Sequence, residues 1–125
     1  MVEVICDTNF LIHLATKRIK NISTLDTDIG QLQFVVPKIV EKELEKLSNE
    51  PHKEFEAQKT LEFIKKFKKI SIMGNFADDA LISHIEKNGG IVATLDKELK
   101  NKIKNIGGSI VSLSNDRIIL EPSKI

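Results

Sequence analysis

Five acidic residues, spread over ninety positions of this sequence, carry most of its chemical interest. Asp7 directly follows the apolar run Val2–Cys6, and Asp96 directly follows Ile91-Val92-Ala93-Thr94-Leu95. Both runs read as β-strands, so each aspartate falls where the chain leaves a sheet. Alone, an aspartate in that position is ordinarily a turn residue or a helix cap. Glu43 has no such ready explanation. On a helical wheel starting at Val36, Ile39, Val40, Leu44 and Leu47 form one apolar stripe, from about 300° round to about 80°. Glu43 falls inside it, at about 340°, while Glu41, Lys42 and Glu45 fall on the opposite side. A carboxylate on a buried face is costly unless it is paired or metal-bound. A lysine partner or a slightly different helix phase would also account for it. Asp78 and Asp79 open a further helix. Asn75 with Asp78 three residues on has the form of a capping box, which gives Asp78 a structural task and leaves Asp79 without one.

Carboxylates gathered into one place repel one another, and at least one of them should titrate high. A hard dication removes that penalty. Mg2+ or Mn2+ takes oxygen ligands, usually a few carboxylates and waters. One or two such ions can activate a water, orient a phosphodiester and stabilise the attacking and leaving oxygens. The chemistry to expect is metal-dependent phosphodiester hydrolysis.

Such a site needs a scaffold that brings distant residues together. Strands are expected at residues 2–6, 34–36, 70–73, 91–95 and 109–113, with an edge strand at 117–120. Helices are expected over 10–15, 37–47, 53–68, 76–87 and 97–106. Their boundaries are Pro37 in a first turn, the break Ser48-Asn49-Glu50-Pro51, Asn88-Gly89-Gly90 and Gly107-Gly108. Residues 21–30 read as loop or a short helix. Alternating strands and helices imply one α/β domain over residues 1–125, a three-layer α/β/α sandwich whose mainly parallel sheet has about five strands. Ligands bind such sheets outside the carboxyl ends of the strands, which is where the acids lie.

Composition narrows the classes. Hydrophobic residues make up 41% of the chain, enough for a core. No apolar run approaches the ~18 residues of a membrane helix, and no export signal is apparent at the N-terminus, so the cytoplasm is the expected location. The lone Cys6 excludes an internal disulfide and a cysteine zinc site. The net charge of +1 conceals an asymmetry: with four of the 18 acids withdrawn into a pocket, 14 remain against 19 Lys and Arg. An acidic pocket on a mildly basic body suits a polyanionic substrate.

The order of motifs resembles that of PIN-domain nucleases. Asp7-Thr8-Asn9 after the first strand, Val36-Pro37 through Glu43-Leu44, Asp79-Ala80-Leu81-Ile82, and Val92-Ala93-Thr94-Leu95-Asp96-Lys97-Glu98-Leu99 follow one another as that family's segments do. The resemblance spans residues 2–113. It implies a catalytic metal site of Asp7, Glu43, Asp79 and Asp96 holding Mg2+ or Mn2+, with Asn9, Thr94 and Asp78 in support, and RNA as substrate. Asp79 and Asp96 are one residue closer in sequence than the family leads one to expect, which leaves Asp78 as the alternative ligand. Leu95 departs from the polar residue common before the final acid, and no zinc ribbon is present. The paired aspartates and the Asp-Lys-Glu-Leu phrase are most similar to the ribosomal-RNA-processing branch; the VapC toxin branch, which would bring an antitoxin partner, is also similar.

A receiver-like signalling domain clusters acids around Mg2+ on a comparable sheet. It pairs acids at its first strand and places a lysine after its last, whereas Asp7 stands alone here and Ser114-Asn115-Asp116 follows residues 109–113. For RNA contact the lysines after Asp96, namely Lys97, Lys100, Lys102 and Lys104, are the candidates, with Lys65, Lys66, Lys68 and Lys69 as a second group; solvation of helix ends explains either set equally. Phe55, Phe63 and Phe67 suit core packing first, and base stacking or a homodimer face second. His13, His52 and His84 show no catalytic pairing.

Overall fold

The structure is a computed structural model that describes residues 2–19, 26–27 and 30–124. Its elements in chain order are β1 (Val2–Cys6), α1 (Thr8–Thr16), β2 (Asp26–Thr27), β3 (Gly30–Pro37), α2 (Lys38–Leu47), α3 (Glu54–Phe63), a 3-10 turn (Ile64–Lys66), β4 (Lys68–Ile70), α4 (Ala77–Asn88), β5 (Ile91–Ala93), α5 (Lys97–Asn105), β6 (Ser109–Ser114) and β7 (Arg117–Glu121). Five strands run parallel in the order β4-β3-β1-β5-β6. Two antiparallel strands extend them: β7 pairs with β6, and β2 pairs with the start of β3.

The strands bury both faces, and their period of two divides the core. Val4, Cys6, Phe34, Val36, Ala93 and Val111 face one way, against Phe10, Leu11 and Leu14 of α1, Val40 and Leu44 of α2, and Ile64. Ile5, Val35, Val92 and Ile110 face the other way, against Leu81 and Ile85 of α4 and Leu99 and Ile103 of α5. The result is the expected three-layer sandwich. Gly108 is fixed by close packing. A Cβ there would lie 2.5 Å from the Ile103 Cγ2 and 2.7 Å from the Ile85 Cγ2, so a larger residue would wedge β6 away from α4 and α5.

Three expectations need correction. The strand expected at 70–73 lies earlier, at Lys68–Ile70, because its partner β3 ends at Pro37, opposite Ile70, and offers nothing to pair with beyond. The helix expected to reach residue 68 stops at Phe63 and tightens into the 3-10 turn. Lys69 Nζ donates to the carbonyls of Ile64 and Phe67 there, and Phe67 turns inward onto Phe34 and Phe63. Of the stretch 21–30, read as loop or short helix, residues 26–27 and 30 are strand; the rest lies outside the described residues.

Candidate active site

Parallel strands β1, β3 and β5 end on the same side of the sheet, and the acids gather there. Asp7 leaves β1 with its N–H donating to the Ala93 carbonyl at 2.9 Å, which locks it beside the end of β5. One carboxylate oxygen accepts the Thr8 N–H at 2.8 Å and so caps α1. The other accepts the Thr94 hydroxyl at 3.0 Å. Thr94, fully buried, also accepts the Asp96 N–H at 3.1 Å. Asp96 caps α5 with one oxygen, which accepts from the N–H groups of Glu98 (2.9 Å) and Leu99 (3.2 Å). On the other side, the Thr8 hydroxyl donates to the Glu43 carboxylate. A continuous chain of bonds therefore links Glu43, Thr8, Asp7, Thr94 and Asp96, from α2 across β1 to α5.

A cleft of about 460 Å³ opens over this chain. Asp7, Thr8, Asn9, Glu43, Asp78 and Asp96 line it, with Lys46, Leu47 and Glu50 at the α2 end. Asp79 does not reach it. That residue lines an adjoining hollow of about 140 Å³, which Asp78 and Asp96 share. Neighbours on a helix point about 100° apart. With Ala77, Ala80 and Leu81 buried, α4 offers the cleft Asp78 and turns Asp79 aside. The expected capping box is absent: α4 starts after Phe76, with no side-chain cap, so Asp78 has no Asn75 partner to serve.

The electrostatics follow from this crowding. Burial pushes the Asp7 carboxyl up to about 6, and the charges of Asp78 and Glu43 add to the rise against the lowering by the Thr8 N–H and the Thr94 hydroxyl. Asp78 is raised too, by burial and then by Asp96, Glu43 and Asp79, with Lys102 opposing. Among the described residues, none of Asp7, Glu43, Asp78 and Asp96 has a lysine, arginine or histidine within ion-pair distance. Nor do three acidic, His or Cys side chains among them already converge as a complete ligand set. Hard oxygen donors that repel one another without a counter-charge fit a Mg2+-like ion, which binds through one or two carboxylates and keeps several waters. The site accommodates such an ion chemically.

Other candidates have different occupations. Lys100 and Lys104, candidates for RNA contact, are ion-paired with Glu121 of β7 at 2.9 and 2.6 Å. Lys104, the Ser112 hydroxyl and Lys100 together hold the Glu121 carboxyl down near 2. This cluster fastens β7 to α5. Lys97 is exposed and makes no ion pair among the described residues. Phe63 and Phe67 pack into the core while Phe55 is 74% exposed. Cys6 is buried, and burial raises its thiol far above the ordinary value. His13 Nε2 lies 3.6 Å from Asp116, beyond hydrogen-bond length and away from the cleft.

Four lining residues, Thr8, Lys46, Leu47 and Glu50, had no place among the sequence candidates. Thr8 reads there only as a capping type, and its link to Glu43 depends on a contact 35 residues apart. Lys46 reads as one more exposed lysine.

The sequence pattern of the PIN-like domain family matches residues 4–116. Ribonuclease VapC9 of Archaeoglobus fulgidus is 30% identical over 115 residues, covering 90% of this chain and 84% of that protein. Ribonuclease VapC4 of Methanocaldococcus jannaschii is 29% identical over 109 residues, covering 82% and 83%. Among solved structures, the PIN domain endonuclease Utp24 superposes with a TM-score of 0.76 at 28% identity, covering 98% of this chain and 95% of that one. The chain belongs to the PIN-like domain family and has the fold of a PIN-domain nuclease.

Proposed function

We propose that the protein is an endoribonuclease that hydrolyses RNA phosphodiesters with Mg2+ or Mn2+ held by Asp7, Glu43, Asp78 and Asp96. One observation carries this reading: a buried Asp7 carboxylate, held in place by two hydrogen-bond donors, shares its cleft with Glu43, Asp78 and Asp96, none of which is ion-paired among the described residues. An ion bound there would supply Lewis-acid activation of a water and neutralise the charge of the phosphodiester. Thr94 and Thr8 position the carboxylates, Asp7 through both and Glu43 through Thr8. Asn9 lines the same cleft as a polar neighbour. Asp78 takes the ligand role that the family motif suggests for Asp79, because it lines the cleft and Asp79 does not.

Two biological settings fit this chemistry. Processing of ribosomal or other structured RNA is supported by the paired aspartates and by Asp96-Lys97-Glu98-Leu99. A toxin role, with an antitoxin as partner, is supported by the two ribonuclease VapC relatives. Growth arrest on expression, relieved by Asp7→Asn, favours the toxin; unimpaired growth favours processing.

The activity itself is tested with labelled single-stranded RNA and Mn2+ or Mg2+. Wild type should cut, EDTA should stop it, and Asp7→Asn should abolish it. Asp78→Asn should cost more than the roughly hundredfold that bounds typical outer-shell changes, and Asp79→Asn should stay below that bound. Equal cleavage by wild type and Asp7→Asn would refute the reading. A larger loss from Asp79→Asn than from Asp78→Asn would reverse the ligand assignment.

A further inference from the structure

Helix α2 contributes more than Glu43. Lys38, Lys42 and Lys46 are spaced four apart, so they stand in one row along its exposed side at steps of about 6 Å. Lys46 lines the acidic cleft. Lys38 and Lys42 line a separate cavity of about 340 Å³, whose opposite wall is the loop Ser71, Ile72, Gly74 and Asn75 between β4 and α4. That wall is pinned. Gly74 has a φ of +141°, and a Cβ there would lie 2.8 Å from the Ala80 Cβ, so the loop packs tightly onto α4. Although Glu41, Glu45 and Glu50 lie three or four positions on, none of the three lysines is ion-paired among the described residues. Lys100 and Lys104, by contrast, are committed to Glu121.

We propose that this row is the track for the sugar-phosphate backbone of a single-stranded RNA on one side of the cleaved bond. The inference rests on the nuclease reading above and extends it. Lys46 sits nearest the reacting phosphate, and Lys42 and Lys38 take the next phosphates outward. The steps along α2 are comparable to the separation of neighbouring phosphates in an extended strand. Lysine serves here as a point charge, so the track holds a strand without reading its sequence. Phe76, next to the groove residue Asn75, is 70% exposed and offers an aromatic face for a base.

The test uses a fluorescein-labelled twelve-nucleotide oligouridylate. Binding is followed by anisotropy over a salt series in an Asp7→Asn background, and KM is measured in the otherwise wild-type protein. Lys38→Ala/Lys42→Ala should lower the slope of log K against log salt by about 1.4, at roughly 0.7 per single-strand phosphate released. It should also raise KM severalfold, with the loss in KM rather than kcat. Lys59→Ala/Lys87→Ala removes the same charge from residues that line neither cavity, and should leave the slope within error. Thermal melting of both double variants confirms that these exposed replacements leave the fold intact. Equal slopes for the two double variants would overturn the track while leaving the nuclease intact. A parent protein that neither binds nor cuts the oligonucleotide would instead defeat the nuclease reading, and the track with it.

Discussion

Asp7 is a residue whose position costs stability. Its carboxyl is held near 6 in the folded chain by burial and by the charges of Asp78 and Glu43, against an ordinary value of 3.8. Between those two values the folded state binds more protons than the unfolded one, so stability falls as pH rises from about 4 to about 6. Above that window the full penalty, at most about 3 kcal/mol, is in force. Asp7→Asn removes the charge but leaves the Thr8 N–H and the Thr94 hydroxyl sharing one acceptor. Without metal, the variant should therefore be more stable than wild type by about 1–2 kcal/mol at pH 7.5, with the difference shrinking toward pH 4. Urea denaturation in EDTA across that range measures it. A wild type that is the more stable partner at pH 7.5 would contradict this account of the charge. The same residue illustrates how far sequence alone reaches. Its place after an apolar run marked Asp7, and Glu43 was marked by an apolar stripe. Thr8 carried no mark of its own, because its role is a bond to a residue 35 positions away.

At the scale of elements, rotation along one helix separates Asp78 from Asp79. Periodicity showed an acidic first turn, but the side that faces the cleft depends on where Ala77, Ala80 and Leu81 are buried. The order of strands and helices was legible because each carried its own period. The end of β4 was not, because Ile70 and Ile72 continue an apolar alternation past the point where β3 stops offering a partner. The ion pairs of Lys100 and Lys104 were illegible for a similar reason: their partner Glu121 lies on a strand added late in the chain. Packing between elements makes its own prediction. Gly108→Ala should destabilise the protein by roughly 1–3 kcal/mol through the clash with Ile103 and Ile85, read as a lower urea midpoint with an unchanged m-value. A midpoint equal to wild type would show that α4 and α5 yield freely there.

At the scale of the whole molecule, the parallel sheet sets the chemistry by gathering strand ends at one edge. Acids from β1, α2, α4 and the β5–α5 junction meet over a single cleft. An otherwise near-neutral chain thereby acquires a strongly negative pocket, flanked by the α2 lysines. In water such a concentration of like charge is self-destabilising, and a hard dication, as proposed above, would make it favourable. A crystal soaked in Mn2+ and read by anomalous scattering tests this most directly. A peak inside the cleft, with the Asp7 carboxylate at about 2.1 Å and Glu43, Asp78 or Asp96 bound directly or through water, is the predicted result. A cleft without a peak in a crystal that takes up Mn2+ at other sites would contradict the account.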